Sequence, residues 1–202
     1  MTQEEKNTEE KILEAAKNIF LKKGMAGSRM QEIADEANIN KSLLHYYYRS
    51  KNKLFLAVFR FAIKQFIPGI KDIILSDETV FKKIEMFVDS YIEMLFRHPF
   101  VPIFIIQEIQ RDPDVLTGAL MEAGVDPNEI LQVFYDAIDR GEIRPINPLE
   151  VMLNMLSLCI FPFAAKPVMQ RVFFDNDERA YNQFLENRKK TVTEFMIKAI
   201  KP

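Results

Sequence analysis

The sequence predicts an all-α protein in two parts, a small three-helix N-terminal domain followed by a larger helical remainder. Three observations carry this. Apolar residues recur at i, i+3 and i+4 along most of the chain, the period of a helix with one buried face. Only six of the 202 residues are Gly, and alternating β-branched runs are few, so little argues for sheet. Helix start signals recur in their strongest form, a capping residue followed by Pro, at Asp126-Pro127 and Asn147-Pro148.

Taken in order, Asn7 or Thr8 is positioned to cap a first helix, with Glu9 and Glu10 following. Ile12, Ala16, Ile19 and Phe20 give that helix its apolar face, and Lys23-Gly24 ends it. Ser28 is expected to open a second, short helix, with Gln31 closing a capping box and the helix stopping near Ala37-Asn38. Asn40 caps a third over about Lys41 to Tyr48. Ser50 caps a long fourth helix, which Pro68-Gly69 should kink or interrupt. Asp77 opens the next, with Phe81, Ile84, Val88, Tyr91, Ile92 and Leu95 on one side and His98-Pro99 at its end. Helices then follow over Ile103 to Gln110, from Asp112-Pro113, from Asp126-Pro127 to Gly141, and from Asn147-Pro148 until Pro162 and Pro167 break the run. Asp175 or Asn176 opens the last. The domain boundary is set at the fourth helix, giving 1–54 and 55–202.

Composition narrows the function. At 48% hydrophobic residues, with 17 Phe and no Trp, the chain holds enough apolar mass for a real core. Cys159 is the single cysteine, which excludes an intrachain disulfide and a cysteine-based zinc site; no metal or cofactor is expected. The polar, acidic start MTQEEKNTEEK lacks the character of a signal or transit peptide. The most apolar stretch, Val151 to Ala165, is broken by Asn154 and Pro162 and falls short of the roughly 20 residues a bilayer span needs. A cytoplasmic protein without membrane contact is therefore expected. Net charge is only −2, yet residues 22–53 carry seven cations against three acids, a local excess suited to phosphate.

Within that basic segment lies Ile33-Ala34-x-x-Ala37-Asn38-Ile39-Asn40-x-x-x-Leu44. Ala34 lets two short helices cross closely, and a tight turn must follow. Asn38 stands where a left-handed residue is wanted. Leu44 and Tyr47 share the inner face of the third helix, while Lys41, Ser42, His45 and Tyr46 share the outer one. A short, polar, cationic outer face of this kind fits the major groove, with its N-terminal residues nearest the base edges.

Three runs carry a resemblance: Gly24-x-x-x-Ser28, then Ile33-Ala34-x-x-Ala37-x-Ile39, then Leu44-x-x-Tyr47-Tyr48-x-Ser50-Lys51-x-x-Leu54. Together they resemble the helix-turn-helix DNA-binding domain of the TetR (tetracycline-repressor) family. The remainder resembles the family in length, in helical pattern and in Gly141-Glu142-Ile143-Arg144-Pro145. The resemblance implies a ligand-responsive transcription regulator, most simply a repressor, with an N-terminal DNA-binding domain and a helical effector-binding and dimerisation domain. It implies that Ser28 and Arg29 touch phosphates and that Lys41, Ser42 and His45 read bases. Tyr46 and Tyr47 would hold phosphate or sugar, and Lys51 would clamp a phosphate. Gln31 either reaches a base edge or only closes its capping box; Leu43 either packs or touches a thymine methyl. Arg29, Asn38, Leu43 and His45 depart from the commonest family residues, which bears on base preference rather than on docking.

A regulator of this type binds a pseudo-palindromic double-stranded operator as a homodimer. Two helices offer the surface. The run from Val151 to Phe161 is apolar nearly all round, so it must be covered on both sides. The candidate interface residues are Val151, Met152 and Leu158 there, with Tyr181, Phe184, Val192, Phe195 and Met196 on the last helix. For an apolar effector, candidate pocket residues are Phe87, Tyr91, Met94, Phe104 and Gln107, then Phe134, Met155, Cys159 and Phe163. Glu108 either meets a cationic ligand, pairs with Arg111 or faces water. The fourth helix is the natural lever between effector and reading head.

Two rival classes are weaker. An enzyme would need a phosphate loop, a metal-binding His pair or a nucleophile set, and none is readable in the sequence. A helical protein-interaction module without DNA binding would not need the cationic turn segment.

Overall fold

The computed structural model describes residues 3–202, apart from the side chains of residues 3, 4, 107–109 and 111. The candidate pocket side chains Gln107 and Glu108, and the Arg111 partner considered for Glu108, therefore lie outside the described residues. The described residues form helices α1 (Gln3–Gly27), α2 (Met30–Glu36), α3 (Lys41–Tyr47), α4 (Lys51–Leu75), α5 (Val80–Arg97) and α6 (Val101–Arg111). There follow α7 (Pro113–Glu122), α8 (Pro127–Asp139), α9 (Pro148–Ala164), α10 (Lys166–Phe173) and α11 (Glu178–Ile200), with no strand among the described residues. Among the described residues, no single helix is long and apolar enough to cross a membrane.

The chain forms two compact units, residues 1–65 and 66–202. They divide inside α4, further along it than the 54/55 boundary read from the sequence. α4 itself runs through Pro68 without the interruption expected there.

In the first unit, Ile12, Ala16 and Phe20 of α1, Ile33 and Ala34 of α2, Leu44 of α3, and Leu54 and Phe59 of α4 are buried together. The Phe20 and Phe55 rings meet edge to face at 4.8 Å. α1 starts at Gln3, earlier than Asn7 or Thr8, and its helical path breaks at Gly24, where φ is 65°. The α2 start differs from expectation. Ser28 is buried and its hydroxyl donates to the Met25 carbonyl at 2.8 Å, so it cannot cap. Arg29 stands at the cap position instead, and its backbone N–H donates to the Glu32 carboxylate at 3.1 Å. Gln31, free of any capping box, donates to Asp35 one turn on at 2.8 Å.

The α2–α3 turn closes as a Schellman stop. The Ile39 N–H donates to the Ala34 carbonyl at 3.0 Å and the Asn38 N–H to the Asp35 carbonyl at 3.1 Å, with Asn38 at φ 55°. Asn40 then accepts the Leu43 N–H at 2.8 Å and starts α3, and Ser50 accepts the Lys53 N–H at 3.2 Å and starts α4.

In the second unit, α5 packs on α9 and α11, α9 on α8 and α6, and α6 on α7. Ile84, Val88, Ile92 and Leu95 give α5 its buried face, and the helices packed on it bury Phe134 of α8, Met155 and Cys159 of α9, and Leu185 and Met196 of α11. Thr79, not Asp77, caps α5, accepting from Lys82 at 3.2 Å. Asp177 caps α11, because Asp175 and Asn176 both take left-handed backbone and shape the turn before it. Asp126 and Asn147 cap α8 and α9 as expected.

Gly141 stops α8 with φ 68°, and the segment after it ties two helix ends together. Glu142 accepts the Val80 N–H at the start of α5 at 2.8 Å. Ile143 is buried, and Arg144 donates from its backbone N–H to Ile200 at 3.0 Å and from Nε to Ala199 at 2.8 Å, closing the end of α11. An acid thus sits at a helix N-terminus and a cation at a C-terminus, each on the favourable end of the dipole. This is the physical content of the Gly141–Pro145 motif. Pro162 does not break α9, which continues to Ala164 before α10 starts.

Candidate functional site

Leu44 is fully buried and fixes the roll of α3 on the first unit's core. The opposite edge follows from that anchoring: Lys41, Ser42, His45 and Tyr46 are all exposed, Tyr46 at 77%. Tyr47 is half-buried and supports Tyr46 through an edge-to-face ring contact at 5.6 Å. A polar, cationic helix edge is therefore presented with its first turn open, held by the Asn40 cap behind it.

The flanking residues divide. Arg29 is exposed beside the start of α2. Arg49 and Lys53, which the sequence reading counted only as local charge, are also exposed, at the junction of α3 and α4. Their signal was their position on either side of the Ser50 cap. Lys23 is already paired with Glu32 at 2.8 Å, and that hydrogen bond holds the Glu32 carboxyl below the usual carboxylate range. Three expected contacts are placed otherwise. Ser28 is enclosed, so its hydroxyl does not reach a phosphate. Gln31 spends its amide on Asp35. Lys51 turns inward: Nζ donates to the Ser28 carbonyl at 2.9 Å and the Ala26 carbonyl at 3.4 Å. It closes the α1–α2 connection, which ends in carbonyls with no helical partner. Tyr48 is buried and donates to Glu9 at 2.8 Å; burial, with that carboxylate as acceptor, pushes its phenol well above the usual range.

The second unit contains an apolar cavity of about 100 Å³. The C-terminal turns of α4 contribute Ile70, Ile73 and Ile74, α5 contributes Val80, Lys83, Ile84 and Phe87, α8 contributes Ile130, Val133 and Phe134, and α9 closes it with Met152, Met155 and Leu156. Of the expected pocket residues, Phe87, Phe134 and Met155 line it. Tyr91, Met94, Phe104, Cys159 and Phe163 are buried and do not line this cavity. Phe163 meets Phe96 edge to face at 5.2 Å, and Tyr91 stacks beside Phe87 at 5.5 Å. Burial pushes the Cys159 thiol up to about 12, which makes it an inert packing group. The α4 contribution was missed, although Ile70, Ile73 and Ile74 stand at helical spacing in the sequence.

The expected interface residues also separate. Val151, Tyr181, Val192 and Met196 are buried in the core of the second unit, and Met152 lines the cavity. The all-round apolar character of α9 and the 3.6-residue period identify two faces but not which faces outward. Leu158 and Phe184 are half-buried, and Phe195 is exposed. The outward set is Leu149, Leu153 and Phe161 on α9, four and eight residues apart, and Val168, Val172 and Phe173 on α10.

Comparison with known proteins bears on both units. Residues 12–58 match the profile of the tetR family of bacterial regulatory proteins. Over 197 residues the chain is 26% identical to the HTH-type transcriptional regulator RutR of Escherichia coli, covering 95% of this chain and 89% of that protein. The fold is similar to a TetR-family transcriptional regulator of Mesorhizobium loti, with a TM-score of 0.67 at 19% identity over the whole of both chains. It is also similar to the regulator FadR of Bacillus subtilis, crystallised with stearoyl-CoA, with a TM-score of 0.69 at 17% identity over 93% of this chain and 96% of that one.

Proposed function

The chain belongs to the TetR family of bacterial transcription regulators, and from that premise we propose that it is a homodimeric repressor released from its operator by an apolar small molecule. The observation that carries the reading is the exposed edge of α3, where Lys41, Ser42, His45 and Tyr46 stand on the buried Leu44. Lys41, Ser42 and His45 would meet base edges in the major groove, and Tyr46 and Arg29 the backbone. Arg49 and Lys53 would add phosphate contacts. Lys51 would act by holding the α1–α2 connection rather than by touching DNA.

Two reading heads need a dimer, because half-sites recur at about 34–36 Å or a multiple. The outward stripe of Leu149, Leu153 and Phe161, with Phe195 of α11, supports a self-complementary face. The largely apolar lining of the cavity supports an effector with an apolar part, and the similar regulator FadR is crystallised in complex with stearoyl-CoA, which carries an acyl chain. The effector would act by binding more tightly to a conformation whose reading heads do not match the operator. α4 would carry the effect, since Ile70, Ile73 and Ile74 line the cavity while Lys51 at its other end holds the α1–α2 connection.

Selecting bound sequences from random duplex DNA, then challenging the complex with candidate apolar compounds, tests this. The expected result is enrichment of an inverted repeat and its release by at least one compound that binds the chain. Enrichment of no sequence over bulk DNA contradicts the reading.

A further inference from the structure

The apolar cavity adjoins a surface groove of about 420 Å³ in the same unit, and the two share Ile74, Val80, Lys83 and Val133 as lining. The groove adds carboxylates to a cavity whose one charged lining residue is Lys83. Glu78, Asp126, Glu129 and Asp136 line it against Lys83 and Arg140. Only Arg140 is paired with an acid; Lys83 keeps its charge on a neutral carbonyl. Lys83 Nζ donates to the Ile74 carbonyl at 2.7 Å, and Arg140 Nη2 pairs with Glu142 at 3.0 Å, outside the groove lining. The aspartates meet only neutral donors: Asp126 accepts the Asn128 N–H at 2.8 Å, and Asp136 accepts from Gln132 at 2.7 Å. Glu78 and Glu129 have no hydrogen bond or ion pair among the described residues. Four carboxylates against Lys83 and Arg140 leave the mouth of the cavity net negative.

We infer that the effector is an organic cation with an apolar tail, the tail entering the cavity and the cationic head lying in the groove against Glu78 and Glu129. This rests on the reading of the cavity as the effector site and names the chemistry that site selects. A head of opposite charge on the same tail meets four carboxylates against two cations and is disfavoured. Because the carboxylates are exposed, the discrimination is of moderate size and is screened by salt.

Calorimetric titration of the full chain with octyltrimethylammonium, octanoate and octan-1-ol, each as monomer, tests this. The cation is expected to bind at least about tenfold more tightly than octanoate, with the alcohol between them. That ratio should shrink as salt is raised. The surface double variant E78Q/E129Q should bring the cation close to the alcohol without changing alcohol binding. Val133→Phe, which fills the wall common to cavity and groove, should weaken all three. Octanoate binding as tightly as the cation, or a preference that survives E78Q/E129Q, overturns the head-group assignment and leaves the cavity reading standing. Binding of none of the three, or full binding by Val133→Phe, overturns the cavity reading and this inference with it.

Discussion

The guanidinium of Arg188 on α11 donates twice to the Leu158 carbonyl of α9, from Nε at 3.2 Å and from Nη2 at 2.7 Å. Leu158 lies four residues before Pro162, which has no N–H to give it. The side chain of one helix thus replaces the backbone bond that proline removes from another, and α9 continues to Ala164 instead of ending a turn earlier. Tyr181 completes the repair by donating to the Pro162 carbonyl at 2.6 Å. The two helices that offer the outward apolar stripe are locked to each other at this point.

Arg188→Ala is expected to cost about 1–3 kcal/mol, the penalty of a part-buried carbonyl left without a donor. Restoring the backbone N–H with Pro162→Ala in that background should return part of the loss. Denaturant midpoints for the two single variants and the double variant measure the coupling. Additive losses would show that Arg188 does not substitute for the missing N–H.

Lys51→Ala is expected to lower stability by about 1 kcal/mol, through the Ser28 and Ala26 carbonyls it leaves open. Its salt slope for DNA binding should match the parent, because the ammonium is spent on the protein. A slope shallower by about one unit would assign Lys51 to a phosphate instead.

Asn38→Gly should raise stability by a few tenths of a kcal/mol, and Asn38→Ala should lower it by about 1 kcal/mol, since φ 55° suits Gly best and Ala poorly. Thermal unfolding of both variants checks the sign. Equal midpoints would show that the turn relaxes out of the left-handed region.

Much of this was legible in the sequence, for identifiable reasons. Caps whose side chains accept a backbone N–H two or three residues on, such as Asn40, Asp126 and Asn147, are local chemistry and stand where the residue types put them. So does the Asn38 turn, and so does the outward edge of α3 once Leu44 is read as its anchor. What failed to read out depends on partners distant in the chain. Ser28 has the right residue type for a cap, but it is enclosed in the first unit's packing and bonds backward to Met25. Lys51 reads as a free cation until the carbonyls of Ser28 and Ala26 are brought to it. Pro162 reads as a breaker because Arg188 is invisible from α9 alone. Val151 and Tyr181 share apolar character with the exposed residues around them, and only packing tells the core from the outward face.

The most direct test of the central claim is fluorescence anisotropy of a selected operator duplex with the parent chain, Lys41→Ala and His45→Ala, each also measured against a scrambled duplex. The account predicts that both variants keep the parent's fold and lose about 1–3 kcal/mol of operator affinity where the side chain meets a base, with a much smaller loss on the scrambled sequence. Unchanged operator affinity in both variants would contradict it, because α3 would then not be the element that reads DNA.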